Sequence, residues 1–214
     1  MDKKKVPGIV IKRLPRYYRY LSELRKQNVQ RISSAALSEK MNVTASQIRQ
    51  DFNYFGGFGQ QGYGYSVDFL YCEIGKILGL HDGYKTIIIG AGNLGHALAN
   101  HSAFERRGFK LCGIFDCNEK IIGTTINGVA VLSDSLLEDF VRDNKIDIAI
   151  LAVPKSAAQK TADRLVCCGI KGIWNFSYAE LKISEPIAIE NVHLTDSLMT
   201  LSFKIKQSPK PENN

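Results

Sequence analysis

The sequence predicts an α/β chain in two parts, a winged helix-turn-helix domain over residues 1–80 followed by a Rossmann domain, a doubly wound parallel sheet, over 81–192. Three observations carry this. Gly90, Gly92 and Gly95 stand in G-x-G-x-x-G spacing between two apolar runs. Three helix-forming segments in the front third are separated by a tight turn and followed by a glycine-aromatic stretch. The positive charge is concentrated at one end: residues 1–66 hold twelve Lys and Arg against four acids, net +8, while residues 67–214 hold sixteen against seventeen, net −1.

Taken in order, Leu14, Tyr17, Tyr18, Leu21 and Leu24 form the apolar stripe of a first helix over 14–27, with Pro15 tolerated in its first turn. Ser33 or Ser34 caps a short helix, Ala35 to Met41; Asn42 and Val43 turn the chain, and Thr44 caps a third helix to about Tyr54. On that third helix Ile48, Phe52 and Phe55 recur at inward spacing. Gln47, Arg49, Gln50, Asn53 and Tyr54 are left to meet base edges in a DNA major groove. Lys12, Arg13, Arg16 and Arg19 are candidates for phosphate contacts. The segment 56–67, GGFGQQGYGYSV, reads as a hairpin wing, because a flexible linker rarely carries Phe58, Tyr63 and Tyr65.

In the second part, the β-branched run Thr86 to Ile89 is a buried parallel strand leading into the glycines. The first glycine permits the tight turn, the second lets a pyrophosphate approach, and the third lets helix pack on strand. A second strand, Leu111 to Phe115, ends at Asp116, whose carboxylate is placed for the ribose hydroxyls of NAD rather than the 2′-phosphate of NADP. Asp147 to Val153 is a further strand ending at Pro154, on the carboxyl edge where ligands of such sheets lie; a helix over 155–167 and a strand over 172–176 follow. A last helix, Thr195 to Ile205, carries Leu198, Leu201, Phe203 and Ile205 with no evident place in its own sheet, and a polar tail follows over 207–214.

The chain has 214 residues, 44% of them hydrophobic, enough for one full core and a smaller one. The basic front third points to a polyanion, nucleic acid ahead of a membrane surface. No apolar run reaches 18 residues and no signal peptide follows MDKKK, so the expected location is cytoplasmic, without a membrane partner. Cys72, Cys112, Cys117, Cys167 and Cys168 lack C-x-x-C spacing and read as small buried residues rather than a metal site.

Several long motifs add a resemblance: SQIRQDFNYFGGFGQQGYGY at 46–65, GAGNLG at 90–95, FD at 115–116, AVP at 152–154, GIKGIWNF at 169–176 and NVHLTDSLMTLSF at 191–203. In these the chain resembles the Rex family of redox-sensing bacterial repressors over nearly its whole length. The resemblance implies a homodimer with a domain-swapped C-terminal helix over 193–206, Rossmann domains that bind NADH or NAD, and a palindromic double-stranded DNA operator released when NADH binds. It implies cofactor contacts by Gly90, Ala91, Gly92, Asn93, Leu94, Gly95, His101, Phe115, Asp116, Val153 and Pro154. DNA contacts would come from Lys12, Arg13, Arg16, Ser46, Gln47, Arg49, Gln50, Asn53, Tyr54, Gln60, Gln61 and Tyr63, and dimer or sensing contacts from Arg13, His193, Leu198, Leu201 and Phe203. Gln50, Gln60 and Gln61 stand where the family commonly has Lys, Lys and Arg, His101 where it has a Tyr, and His193 where it has an Asp.

An NAD-dependent dehydrogenase is the rival reading. Removing the DNA-binding part and the tail leaves roughly 130 residues, one Rossmann domain with no second domain to hold a substrate. His96 and His101 are present, but no paired catalytic constellation accompanies them, so no enzyme activity is expected. A DNA-binding regulator sensing ATP or a flavin is the other alternative.

Overall fold

The computed structural model describes residues 6–56, 58 and 63–207, and the chain divides into two compact units, Met1–Asp82 and Gly83–Asn214. In the first unit α1 (Gly8–Lys26) buries Val10, Leu14, Tyr17, Leu21 and Leu24, one residue every three or four positions. The helix starts a turn and a half earlier than the sequence predicts, behind Pro7, and Pro15 is internal rather than in the first turn. An internal proline costs about 3 kcal/mol. Here it lies on the exposed side, and each buried apolar side chain of the opposite stripe returns about 1.5–3 kcal/mol.

Next come β1 (Arg31–Ile32), α2 (Ser34–Met41) and α3 (Ala45–Asn53). The Ser33 hydroxyl accepts from Ala36 N–H at 3.0 Å and the Thr44 hydroxyl from Gln47 N–H at 3.1 Å, which satisfies orphan donors at both helix starts. Asn42, at φ 52°, takes the left-handed conformation that turns α2 into α3. The predicted hairpin contributes one described strand, β2 (Tyr65–Ser66), and it pairs antiparallel with β1 rather than with a neighbour from its own segment. Gln60 and Gln61 lie outside the described residues. Helix α4 (Val67–Ile77), which the sequence reading did not foresee, packs Leu70 and Ile74 into the core beside α1. At the centre stands Phe52, with Tyr17, Phe58 and Tyr65 edge-on to it at 5.1, 5.6 and 5.1 Å.

The second unit is built on β3 (Tyr84–Ile89), β4 (Phe109–Asp116), β5 (Thr125–Ile126), β6 (Val129–Ser133), β7 (Ile148–Leu151), β8 (Gly172–Asn175) and β9 (Ala188–Asn191). Their order is β5-β6-β4-β3-β7-β8-β9, parallel except for the antiparallel edge strand β5. Without that edge, the order is the 3-2-1-4-5-6 of a dinucleotide-binding sheet, reversing direction between β3 and β7. Alternation along β3 divides the core. Ile87 and Ile89 join α6 (Leu137–Asn144) and α7 (Lys155–Cys167) on one face, and Ile88 joins α5 (Asn93–Ala99) on the other. After β9 the chain forms α8 (Leu194–Gln207), none of whose residues is buried. No helix among the described residues is long and apolar enough to cross a membrane.

Candidate nucleotide cleft and nucleic-acid face

The carboxyl ends of β3, β4 and β7 open into a cleft of about 730 Å³. Gly90 leaves β3 at φ +97°, where a Cβ would run into the Ala152 carbonyl of the neighbouring strand end, and its N–H donates to the Phe115 carbonyl at 2.8 Å. Gly95 sits so close to Gly90 that a Cβ there would overlap the Gly90 carbonyl oxygen. Gly92, the N-cap of α5, has open space where its Cβ would be, and no side chain caps the helix behind it. The three glycines thus divide into two that close the backbone and one that leaves room. An anion entering that room meets unpaired N–H groups at a helix start, which is what a pyrophosphate needs.

Asp116 closes the far side of the loop. Its carboxylate accepts from Ala91 N–H at 2.7 Å with one oxygen and from Asn118 N–H at 2.8 Å with the other, and it lines the cleft. Each oxygen keeps lone pairs for a ribose hydroxyl. Val153 and Pro154 form the opposite wall, with Lys155 and Lys160 adding positive charge and Cys117 exposed at the rim. Of the predicted cofactor residues, Gly90, Gly92, Leu94, Asp116, Val153 and Pro154 therefore share one cleft. Ala91 adjoins it through its bond to Asp116, Asn93 begins α5, and Gly95 serves the packing of that helix.

Two expected members stand apart. The Phe115 side chain is fully buried, its ring edge-on to Phe140 at 5.3 Å, because alternation along β4 turns it into the core while Asp116 faces the cleft. His101 lines a separate cavity of about 130 Å³ on the α5 side of the sheet and packs on Phe104 at 4.6 Å; the chain has left α5 by then and turned away from the glycine loop. Conversely, the cleft includes residues that periodicity could not reveal. Arg164 on α7 donates to both Glu138 oxygens, at 2.5 and 2.9 Å, and to the Asp134 carboxylate at 2.5 Å, bracing the end of β6 against α7. That guanidinium holds the Glu138 carboxyl at about 2, far below its ordinary value, and is itself held charged by Glu138 and Asp134. Tyr178 stands on the cleft wall with φ +28°, a conformation that costs a non-glycine residue of order 1–3 kcal/mol. Among the described residues no three His, Cys, Asp or Glu gather as metal ligands.

In the first unit, Ser46, Arg49, Gln50 and Asn53 are all exposed and recur at three- and four-residue steps, so they form one outward face of α3. The Arg49 guanidinium rests on the hydroxyls of Ser34 and Ser46 at 3.1 and 3.0 Å, and Gln47 and Tyr54 flank the face half-buried. Lys12, Arg16 and Arg19 are exposed on α1, with Arg16 donating to the Met41 carbonyl at 2.9 Å, and Tyr63 is exposed beside β2.

Arg13 departs from its expected role as a phosphate contact. Its Nε and Nη2 bind the two oxygens of Asp51 at 2.6 Å each, and Tyr17 Oη donates to the same carboxylate at 2.8 Å. Asp51 is fully buried and Arg13 nearly so. A bidentate pair of this kind spends the fork that would grip a phosphate, so Arg13 ties α1 to the inner face of α3. Burial raises the Tyr17 hydroxyl above its ordinary range, and Asp51 adds to the effect.

Comparison with known proteins fits both regions. Residues 5–53 match a family model described as a putative DNA-binding protein N-terminus, and residues 81–179 one described as a CoA binding domain. A relative from Thermoanaerobacter pseudethanolicus, 60% identical over 208 residues (97% of this chain, 93% of the relative), is a redox-sensing transcriptional repressor Rex. The chain belongs to the Rex family. A Rex from Clostridioides difficile is 50% identical over 207 residues, 97% of this chain and 99% of its own. The solved structure of the Rex-family repressor RSP with beta-NAD+ and operator DNA matches at TM-score 0.90 and 59% identity, covering 94% of this chain and 93% of that one. RSP with beta-NADH matches at 0.89 and 56%, covering 95% and 96%. Both Rex relatives are redox-sensing transcriptional repressors.

Proposed function

We propose that this Rex-family chain is a homodimeric transcriptional repressor that holds a palindromic operator through α3 and is released when NADH occupies its clefts. The observation that carries this is the pairing of beta-NAD+ with operator DNA on a relative of 59% identity. Support from this chain's own residues lies in the switch-point cleft and in the exposed polar face of α3. Bound, the dinucleotide supplies a redox-dependent charge, since its nicotinamide is cationic when oxidised and neutral when reduced. The N–H groups behind Gly92 receive the pyrophosphate, Asp116 accepts from the adenosine ribose and repels a 2′-phosphate, and Val153 and Pro154 wall the cleft.

On this reading residues 1–80 read DNA, 81–192 hold the dinucleotide and 193–206 join two subunits, in the cytoplasm where the operator lies. The dimer call draws on α8, which leaves Leu198, Met199, Leu201, Phe203 and Ile205 at least half exposed, an apolar stripe of unusual size for a lone chain. A partner subunit that exchanges the same helix would cover it. An operator gel shift titrated with NADH and with NAD tests the reading. NADH should release the DNA and NAD should not; release by both alike, or by neither, would refute it.

A further inference from the structure

Asn175 is buried at the end of β8, and its side chain is spent on the turn that follows and on β9 beside it. Its Nδ2 donates to the Ala179 carbonyl and to Asn191 Oδ1, each at 2.8 Å, while its Oδ1 accepts from Ser177 N–H at 3.0 Å and Ser177 Oγ at 2.6 Å. Three of these bonds fix residues 175–179 and the fourth ties the turn to β9, which together hold Tyr178 at φ +28°, half-exposed on the cleft wall. A strained residue of this kind persists only where its surroundings over-determine it. The Tyr178 ring lies 5.5 Å from that of His193, tilted by 37°. His193 in turn accepts through its carbonyl from Asp196 N–H at 3.1 Å, in the first turn of α8.

The strand order places this turn. Asp116 ends β4 on one side of β3, and Tyr178 follows β8, two strands away on the other side. A dinucleotide laid across the glycine loop with its adenosine at Asp116 has its nicotinamide end on the β7-β8 side. We propose that Tyr178 is the specificity-determining contact for that nicotinamide, and that His193 carries its position to the start of α8. The inference rests on the dinucleotide reading of the cleft. An aromatic face attracts a cationic ring more than a neutral one, so Tyr178 favours the oxidised cofactor.

Titration calorimetry on the full chain, with NAD, NADH and ADP-ribose as probes, tests this. Glycine adopts φ +28° freely, so Tyr178→Gly keeps the turn and removes only the ring. It should weaken NAD about three- to tenfold and NADH less. ADP-ribose, which lacks the nicotinamide, should bind as to wild type, and Tyr178→Phe should restore the NAD preference. Equal losses for all three probes, or none, would overturn the role of Tyr178. A wild-type chain that bound ADP-ribose but neither NAD nor NADH would overturn it too, whereas failure to bind any probe would refute the cleft reading itself. His193→Ala should leave both affinities within about twofold while raising the NADH needed to release operator; unchanged release would sever the link to α8.

Discussion

Helices α3 and α8 both present a whole face to solvent, yet they are held in opposite ways. The outer face of α3 is polar, and its inner face is locked by Ile48, Phe52 and the Arg13–Asp51–Tyr17 cluster. The outer face of α8 is apolar and it buries nothing in its own chain. On the proposed reading, a helix that meets DNA in fixed register is oriented by its own domain, whereas one that meets a partner subunit leaves its orientation to that partner.

Removing α8 breaks the contrast most severely. Truncation after Asn191 should give monomers or aggregates in sedimentation and abolish operator binding, because two half-sites need a fixed spacing between reading helices. A truncated chain that stayed dimeric and bound normally would show that α8 is not the subunit contact. Unlocking α3 comes next. Asp51→Ala strands the Arg13 charge and the Tyr17 hydroxyl in a buried site and should cost about 3–5 kcal/mol in urea unfolding. A loss below about 1 kcal/mol would mean that the pair is dispensable.

These two anchors were unequally legible in the sequence. The stripe of α8 could be read from spacing, as could the caps of α2 and α3 and the glycine loop, because each is a local pattern set by helical or strand period. Arg13 could not. It sits in a run of basic residues that all look like phosphate contacts, and its partner lies 38 positions away, so only folding brings them together. The side chain of Phe115 shows a related limit: adjacency to Asp116 in sequence places it on the opposite face of a strand. The stretch between β4 and β7 gave little signal, since β5 is two residues long and β6 is an edge-side strand. Tyr178 is silent in sequence because its position depends on the hydrogen bonds of Asn175 rather than on any period.

A smaller effect separates reading from anchoring on α3. Arg49→Ala should cost about 1–3 kcal/mol at the operator and relax base preference, while Arg16→Ala should weaken all DNA alike and lower the salt slope by about one. Equal, sequence-independent losses would place Arg49 on the backbone rather than the bases. The smallest effect comes from an ion network that is only partly buried. Glu138 binds its proton less tightly folded than unfolded, so its contribution to stability is complete above about 4.5 and is lost as pH falls toward about 2. Glu138→Gln should flatten acid unfolding in that window; an unchanged profile would mean that Arg164 and Asp134 suffice.

The sheet order also dictates a timetable for synthesis. The first unit is a compact body within residues 1–82, in which α4 returns to pack on α1 and α2 packs on α3. The central strand β3 must wait for β7, and the sheet is incomplete until β9 has emerged. At ordinary translation rates that interval is about 5–20 s. During it the ribosome carries a finished DNA-binding unit ahead of an open parallel sheet with bare strand edges. The slow, exposed stage of this chain's birth therefore belongs to the sensor, and aggregation-prone variants should be found there rather than in the reading head.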